Sequence, residues 1–286
     1  MACVNFTEML EKARADNYAI GAFNILDYNS MKAVVDGAVE LNAPVIIQTS
    51  VKTVLYWGYK ALVNWYRELA QKESIPVTLH LDHCKDLNVI NNCIGSGWTS
   101  VMIDASAKLF EENIADTLQV VAMAQPKSVS VEAELGMIVG VEEDIVVTDE
   151  RARLADPEKS EEFCRRTDID IFAPAVGTAH GLYKGKPEIA FSLIEDIAAC
   201  TGKALCLHGG TGLADDVFHR AIKLGCAKVN ISTMLKHSFI DSFTSYRDRN
   251  KTDYNPLKFI EAQYFDMKET VKMNIRLFGS QDKAGV

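Results

Sequence analysis

Short apolar, β-branched runs alternate with longer stretches whose apolar residues recur every three or four positions. This is the pattern of a parallel sheet joined by helical crossovers. The short runs predict eight strands, over residues 18–24, 44–49, 76–82, 100–104, 128–134, 169–176, 204–208 and 227–231. The longer stretches predict helices over 30–41, 61–73, 87–96, 110–124, 161–167, 189–201 and 214–224. Eight βα units in one chain of this size predict an α/β fold, a single (β/α)8 TIM barrel over 1–286. Two places break the alternation. Residues 136–158 are long, acidic and poor in core signal, which predicts a mobile loop after the fifth strand. Residues 254–277 read as a further helix ended by Gly279, a C-terminal helical extension with a polar remnant over 281–286.

Composition narrows the partners. With 48% hydrophobic residues, 286 residues can bury a large core. A net charge of -9 argues against nucleic acid and against an anionic membrane surface as general partners, so any phosphate has to be captured locally. There is neither a basic leader nor an apolar run near the ~18 residues of a membrane span; a cytoplasmic protein is expected. Seven cysteines without a CxxC pair suit reduced thiols better than a disulfide framework.

In a (β/α)8 barrel, functional groups lie where strands end. Three histidines stand there: His83 closes the 76–83 run, His180 follows 171–179, and His208 closes 204–208. Three neutral imidazoles converging from different strands can hold a divalent metal and leave one position open. Just beyond His208, Gly209-Gly210-Thr211-Gly212 precedes a helix, and Ser232-Thr233 follow the last strand at a second helix start. Glycines admit a ligand close to the backbone, and helix amides favour an anion. Metal and phosphate cradle are thus paired in one sequence.

Other strand ends are polar as well: Asn24, Gln48, Ser50, Asp82, Asp104, Glu132, Glu134 and Asn230. Asp82 and His83 are adjacent, so they serve one site only if the chain turns there; otherwise Asp82 reads as a cap for the following helix. Asp104, Glu132 and Glu134 read as carboxylates orienting imidazoles, as a second cation site for a monovalent ion, or as buried salt-bridge partners. His80 shares strand parity with Asp82 and should point into the barrel. His219 and His237 fall on helix surfaces. Lys228 is the candidate for a Schiff-base lysine, although that chemistry has no use for three converging histidines.

Five ordered motifs, His-Leu-Asp-His at 80–83, Val-Glu-Ala-Glu-Leu-Gly at 131–136, Gly-Thr-Ala-His-Gly-Leu-Tyr at 177–183, Leu-His-Gly-Gly-Thr-Gly at 207–212 and Lys-Val-Asn-Ile-Ser-Thr at 228–233, resemble the class II, metal-dependent ketose-bisphosphate aldolases, nearest the tagatose-bisphosphate branch. The resemblance implies that His83, His180 and His208 ligate zinc. It implies that Gly181, Gly209, Gly210, Thr211, Asn230, Ile231, Ser232 and Thr233 bind dihydroxyacetone phosphate, the product released with an aldehyde from a phosphorylated ketose sugar. Glu142 in the acidic loop would move the hydroxymethyl (C1) proton, Asp82 would serve the other carbonyl or hydroxyl, Glu134 would lie beside the metal and Ser50 in the substrate cleft. Arg276 is the candidate for a distal phosphate, and a homodimer or homotetramer is expected. The chain departs from the family in Met137-Ile138-Val139-Gly140-Val141-Glu142, where relatives often carry paired glycines, and in a bulky segment over 49–59. Competing expectations are a non-catalytic barrel subunit that stabilises or regulates an aldolase and a metal-dependent barrel hydrolase.

Overall fold

The computed structural model describes residues 3–142, 145–147, 153–181, 183 and 187–285, with 139–142 and 145–147 described by backbone alone. Eight strands, β1 (Ile20–Asn24), β2 (Val45–Ser50), β3 (Val77–Cys84), β4 (Ser100–Ile103), β5 (Ser130–Leu135), β8 (Ile171–Pro174), β10 (Ala204–Leu207) and β11 (Cys226–Ile231), close into a barrel in the order β1-β11-β10-β8-β5-β4-β3-β2. Every neighbouring pair is parallel. Each predicted strand is present with ends within two residues, because β-branched runs buried on both faces leave no other reading.

Among the described residues three further strands are present, β6 (Val139–Glu142), β7 (Ile145–Val147) and β9 (Ala179–His180). Two of them, β6 and β7, lie within the segment over 136–158 read from sequence as a mobile loop after the fifth strand; residues 143–144 and 148–152 of that segment lie outside the described residues. Strands β6 and β7 form an antiparallel hairpin, and β6 pairs in parallel with β9, setting Gly140 opposite His180.

Helices α2 (Tyr28–Glu40), α4 (Tyr59–Ala70), α5 (Leu87–Ser96), α6 (Phe110–Ala124), α7 (Pro157–Thr167), α8 (Phe191–Thr201), α9 (Asp215–Lys223) and α10 (Thr233–Arg249) surround the barrel, and α11 (Pro256–Leu277) packs on α2 and α10. Local chemistry sets their ends. Asp27 and Ser30 form a capping box on α2, and Asp156 caps α7 with Pro157 at its first turn, so α7 starts earlier than its apolar pattern predicts. Two helices carry too little periodic signal to be predicted: α3 (Val51–Trp57), capped by Ser50, and α1 (Thr7–Ala15).

Helix α1 closes the barrel floor. Phe6, Met9, Leu10 and Ala13 pack with the inward-facing Ile20, Ala22, Ile46, Ile171 and Ala227. A second apolar layer, including Phe23, Ile47, Leu79, Val101, Phe172 and Ile231, lies between strands and helices. With the floor sealed by hydrocarbon, the polar strand residues gather at the opposite, C-terminal end. Among the described residues no helix is long and apolar enough to cross a membrane. All seven cysteines are unpaired.

Candidate metal centre and phosphate cradle

The chain does turn at the first histidine. The pairing of β3 with β4 slips between Leu81 and Cys84, and His83 takes φ = 45°, a left-handed conformation rare outside glycine. The irregularity lets Asp82 and His83, adjacent in sequence, both serve the barrel mouth. The alternative task for Asp82 is already performed by another residue, since Asp86 caps α5 by accepting from Asn88 N.

His83, His180 and His208 come together with their nearest ligand atoms all within 4.8 Å of one another. His83 Nε2 and His208 Nδ1 face each other at 2.7 Å. The other ring nitrogen of each is spoken for: His83 Nδ1 lies 3.3 Å from Asp104 Oδ2, and His208 Nε2 lies 2.8 Å from Glu132 Oε1. Each carboxylate accepts an N–H, which leaves two lone pairs pointing at one another. A cation bound by both rings would satisfy these two nitrogens together. The donor set therefore fits a divalent ion, in the carboxylate–histidine–metal arrangement that fixes tautomers. Burial, then His83 nearby, lower the His208 pKa, which favours the neutral ring a metal requires.

The three carboxylates separate into two roles. Asp104 accepts from Ser106 Oγ at 2.7 Å as well as facing His83; burial opposes its charge, but these bonds outweigh it and hold the carboxyl well below its usual range. Glu134 Oε2 stands 3.9 Å from His83 Nδ1 and has no hydrogen-bond donor among the described residues; burial, then the charge of Asp104, push its carboxyl well above its usual range. With His83 they form a second group of cation-compatible geometry. Glu132 does not belong there. It turns into the barrel, with Oε2 2.9 Å from Lys228 Nζ and Oε1 on His208, so of the readings open from sequence it takes those of an imidazole-orienting carboxylate and a buried salt-bridge partner.

Lys228 also fails as a Schiff-base lysine. It is fully buried. Burial opposes its charge, but Cys206, Glu132 and Asp82 outweigh that and raise its pKa, whereas an imine-forming amine has to be neutral. His80 points inward as expected, with Nδ1 2.7 Å from Ser100 Oγ, and His219 and His237 lie exposed on α9 and α10.

Asp82, 2% exposed, sits at the end of an amide relay. Gln48 Nε2 donates to Asn24 Oδ1 (2.9 Å), Asn24 Nδ2 donates to Asp82 Oδ2 (3.0 Å), and Asn230 Nδ2 approaches Asp82 Oδ1 at 3.4 Å. Ser50 accepts from Thr53 N, so it caps α3 at this same rim.

His180, Gly181, Gly209, Gly210, Thr211, Asn230, Ser232 and Thr233 line one small recess. Gly209 adopts φ = 70°, and a Cβ there would stand 2.4 Å from the Ala179 carbonyl oxygen, so the backbone runs too close for any side chain. The helix end at this recess is that of α10, not α9. The first turn of α9 already carries Asp215 and Asp216, whereas α10 begins at Thr233 without a side-chain cap, and Met234 N donates to Thr211 Oγ1 at 3.2 Å. Tyr183, present in the 177–183 motif but not singled out by sequence, receives a hydrogen bond from Ala179 N and donates to Gly209 O at 2.8 Å. It fastens the His180 segment to the glycine loop.

Two expected residues stand apart, and a third lies outside the described side chains. The Ile231 side chain packs in the outer apolar layer, leaving only its backbone for a ligand. Arg276 lies on α11 in a groove with Met234, Ser238 and Thr270 that none of the three imidazoles lines. Glu142 ends β6, and its side chain falls outside the described ones.

The model of the class-II fructose-bisphosphate aldolase family matches residues 4–283. A fructose-bisphosphate aldolase of Geobacillus stearothermophilus is 41% identical over 99% of both chains. One of Staphylococcus aureus is 39% identical over 99% of this chain and 100% of its own. Among solved structures, the YdjI aldolase of Escherichia coli K12 superposes with a TM-score of 0.87 at 31% identity, over 99% of this chain and 100% of that one.

Proposed function

The chain belongs to the class-II fructose-bisphosphate aldolase family, metal-dependent aldehyde-lyases, and from that premise we propose that it reversibly splits a ketose 1,6-bisphosphate of fructose or tagatose type, or a related ketose 1-phosphate, into dihydroxyacetone phosphate and an aldehyde. One observation carries the reading: His180 is both a member of the imidazole trio and a wall of the glycine-rich recess. A ligand with its phosphate in the recess thereby brings its ketone toward the three imidazoles.

His83, His180 and His208 would hold the ion, with zinc the candidate for an all-imidazole set, and the Asp104–Glu134 pair would suit a monovalent cation. When bound, the divalent ion supplies Lewis acidity for the charge left on the ketone fragment. The protein's own groups do the rest. Amides of the glycine loop and of the α10 N-terminus take the phosphate. Asp82, fixed by Asn24 and Asn230, accepts the C4 hydroxyl proton as the C3–C4 bond breaks, its electron pair passing to the ketone fragment and the aldehyde leaving. Glu142 returns a proton to the hydroxymethyl carbon. A homodimer or homotetramer in the cytoplasm, built on 1–286 as one barrel domain, is the setting we assign, with Arg276 reaching the distal phosphate of a neighbouring subunit's substrate.

Triose phosphate release from fructose and tagatose 1,6-bisphosphates, before and after EDTA and again with zinc, tests the reading. Cleavage lost to chelation and restored by zinc is expected, and the preferred sugar assigns C4. Zinc-loaded protein inert on both sugars would overturn the bisphosphate substrate; activity indifferent to EDTA would overturn the metal.

A further inference from the structure

The imidazole trio and Asp82 converge, one layer deeper, on a single cation of the chain itself. Lys228 Nζ donates to Asn230 Oδ1 at 2.7 Å and to Cys206 Sγ at 3.4 Å, and stands as an ion pair 2.9 Å from Glu132 Oε2. Glu132 faces the ammonium with one oxygen and, on the other, accepts from His208 Nε2 at 2.8 Å. Glu132, Cys206 and His208 are themselves a cluster whose donor atoms could hold a metal ion; the ammonium takes that place.

We infer that Lys228 is a positioning residue for the metal centre: it anchors the Glu132 carboxylate so that His208 donates from Nε2 and keeps Nδ1 free for the ion. Without the ammonium, Glu132 faces a dry layer with only imidazole N–H groups to offset its charge, and nothing fixes which way its oxygens point. His208 then loses the acceptor that selects its tautomer. Outer partners of this kind commonly change metal affinity by about 10–100-fold. The same ammonium occupies Asn230 Oδ1, which obliges the amide to present its NH2 group to Asp82. One buried lysine therefore orients both a metal-binding imidazole and the amide that holds Asp82.

The inference rests on the metal reading above, which wild-type zinc binding tests separately in the same titration. Zinc affinity by chelator competition, and the visible absorption of cobalt-substituted protein, are measured for wild type, Lys228→Met, Glu132→Gln and the double variant. Lys228→Met is expected to bind zinc about 10–100-fold more weakly with an altered cobalt spectrum. In the Glu132→Gln background, where the neutral amide can accept from His208 without a counterion, the same substitution should cost less than about threefold. A folded Lys228→Met that binds zinc as wild type does would overturn the inference. So would an undiminished loss in the Glu132→Gln background, because Lys228 would then act by a route other than Glu132. Should Lys228→Met alone not fold, the double variant against Glu132→Gln decides.

Discussion

Replacing Asp82 by asparagine separates the proton-handling role of the barrel mouth from metal binding. The two Asp82 oxygens face Asn24 Nδ2 at 3.0 Å and Asn230 Nδ2 at 3.4 Å. Neither amide can turn over to accept, since Asn24 Oδ1 is held by Gln48 and Asn230 Oδ1 by Lys228. The new NH2 group therefore meets an NH2 group in a site that is 2% exposed, a mismatch of about 1–3 kcal/mol. Loss of a general acid–base adds a factor of about 10²–10⁴ in kcat, roughly 2.7–5.4 kcal/mol at about 1.36 kcal/mol per decade. Asp82 belongs to no metal-compatible group among the described residues, so zinc content should equal that of wild type. Steady-state cleavage kinetics, metal analysis and thermal denaturation on the same preparation make the check. Asp82→Asn with kcat within tenfold of wild type, or stripped of its metal, would refute the assignment.

The other perturbations are structural in origin. Gly209→Ala places a Cβ 2.4 Å from the Ala179 carbonyl at φ = 70°, so the loop shifts and inhibition by dihydroxyacetone phosphate should weaken at least about tenfold, about 1.4 kcal/mol; unchanged inhibition would remove the loop from the phosphate site. Glu40 bonds Lys268 at 2.6 Å and Lys272 at 2.8 Å across α2 and α11, and these lysines hold its carboxyl below its usual range. A depressed carboxylate stabilises fully above its unfolded pKa, about 4.3, and stops doing so as pH falls through its folded value. Glu40→Gln should accordingly lower Tm at pH 7 by about 3 °C at most, since the pair is partly exposed, and the deficit should shrink below pH 4; a deficit that grows on acidification would reverse the sign.

What the sequence disclosed and what it concealed follow from the range of the interactions. Strands buried on both faces announce themselves as apolar runs, and the imidazoles stand where those runs stop, so the barrel and the trio were both legible. The β6–β7 hairpin was not, because its identity depends on pairing with His180, about forty residues on. Helix α1 stayed hidden because its apolar face is explained only by the barrel floor it closes. The roles of Glu132 and Lys228 were likewise a matter of depth: strand parity puts both side chains inside, but only the closed barrel brings Nζ to 2.9 Å from the carboxylate. Parity could place Lys228; it could not distinguish a lysine that forms imines from one that anchors a carboxylate.

Exchange of the hydroxymethyl protons of dihydroxyacetone phosphate in D2O, followed by proton NMR, reads metal-dependent proton transfer by itself, since it needs neither an aldehyde nor a choice of sugar. The account predicts exchange of one of the two protons by the zinc-loaded protein, its loss on EDTA treatment and its return with zinc. Exchange that survives complete removal of the metal, or zinc-loaded protein that binds dihydroxyacetone phosphate without any exchange, would contradict it.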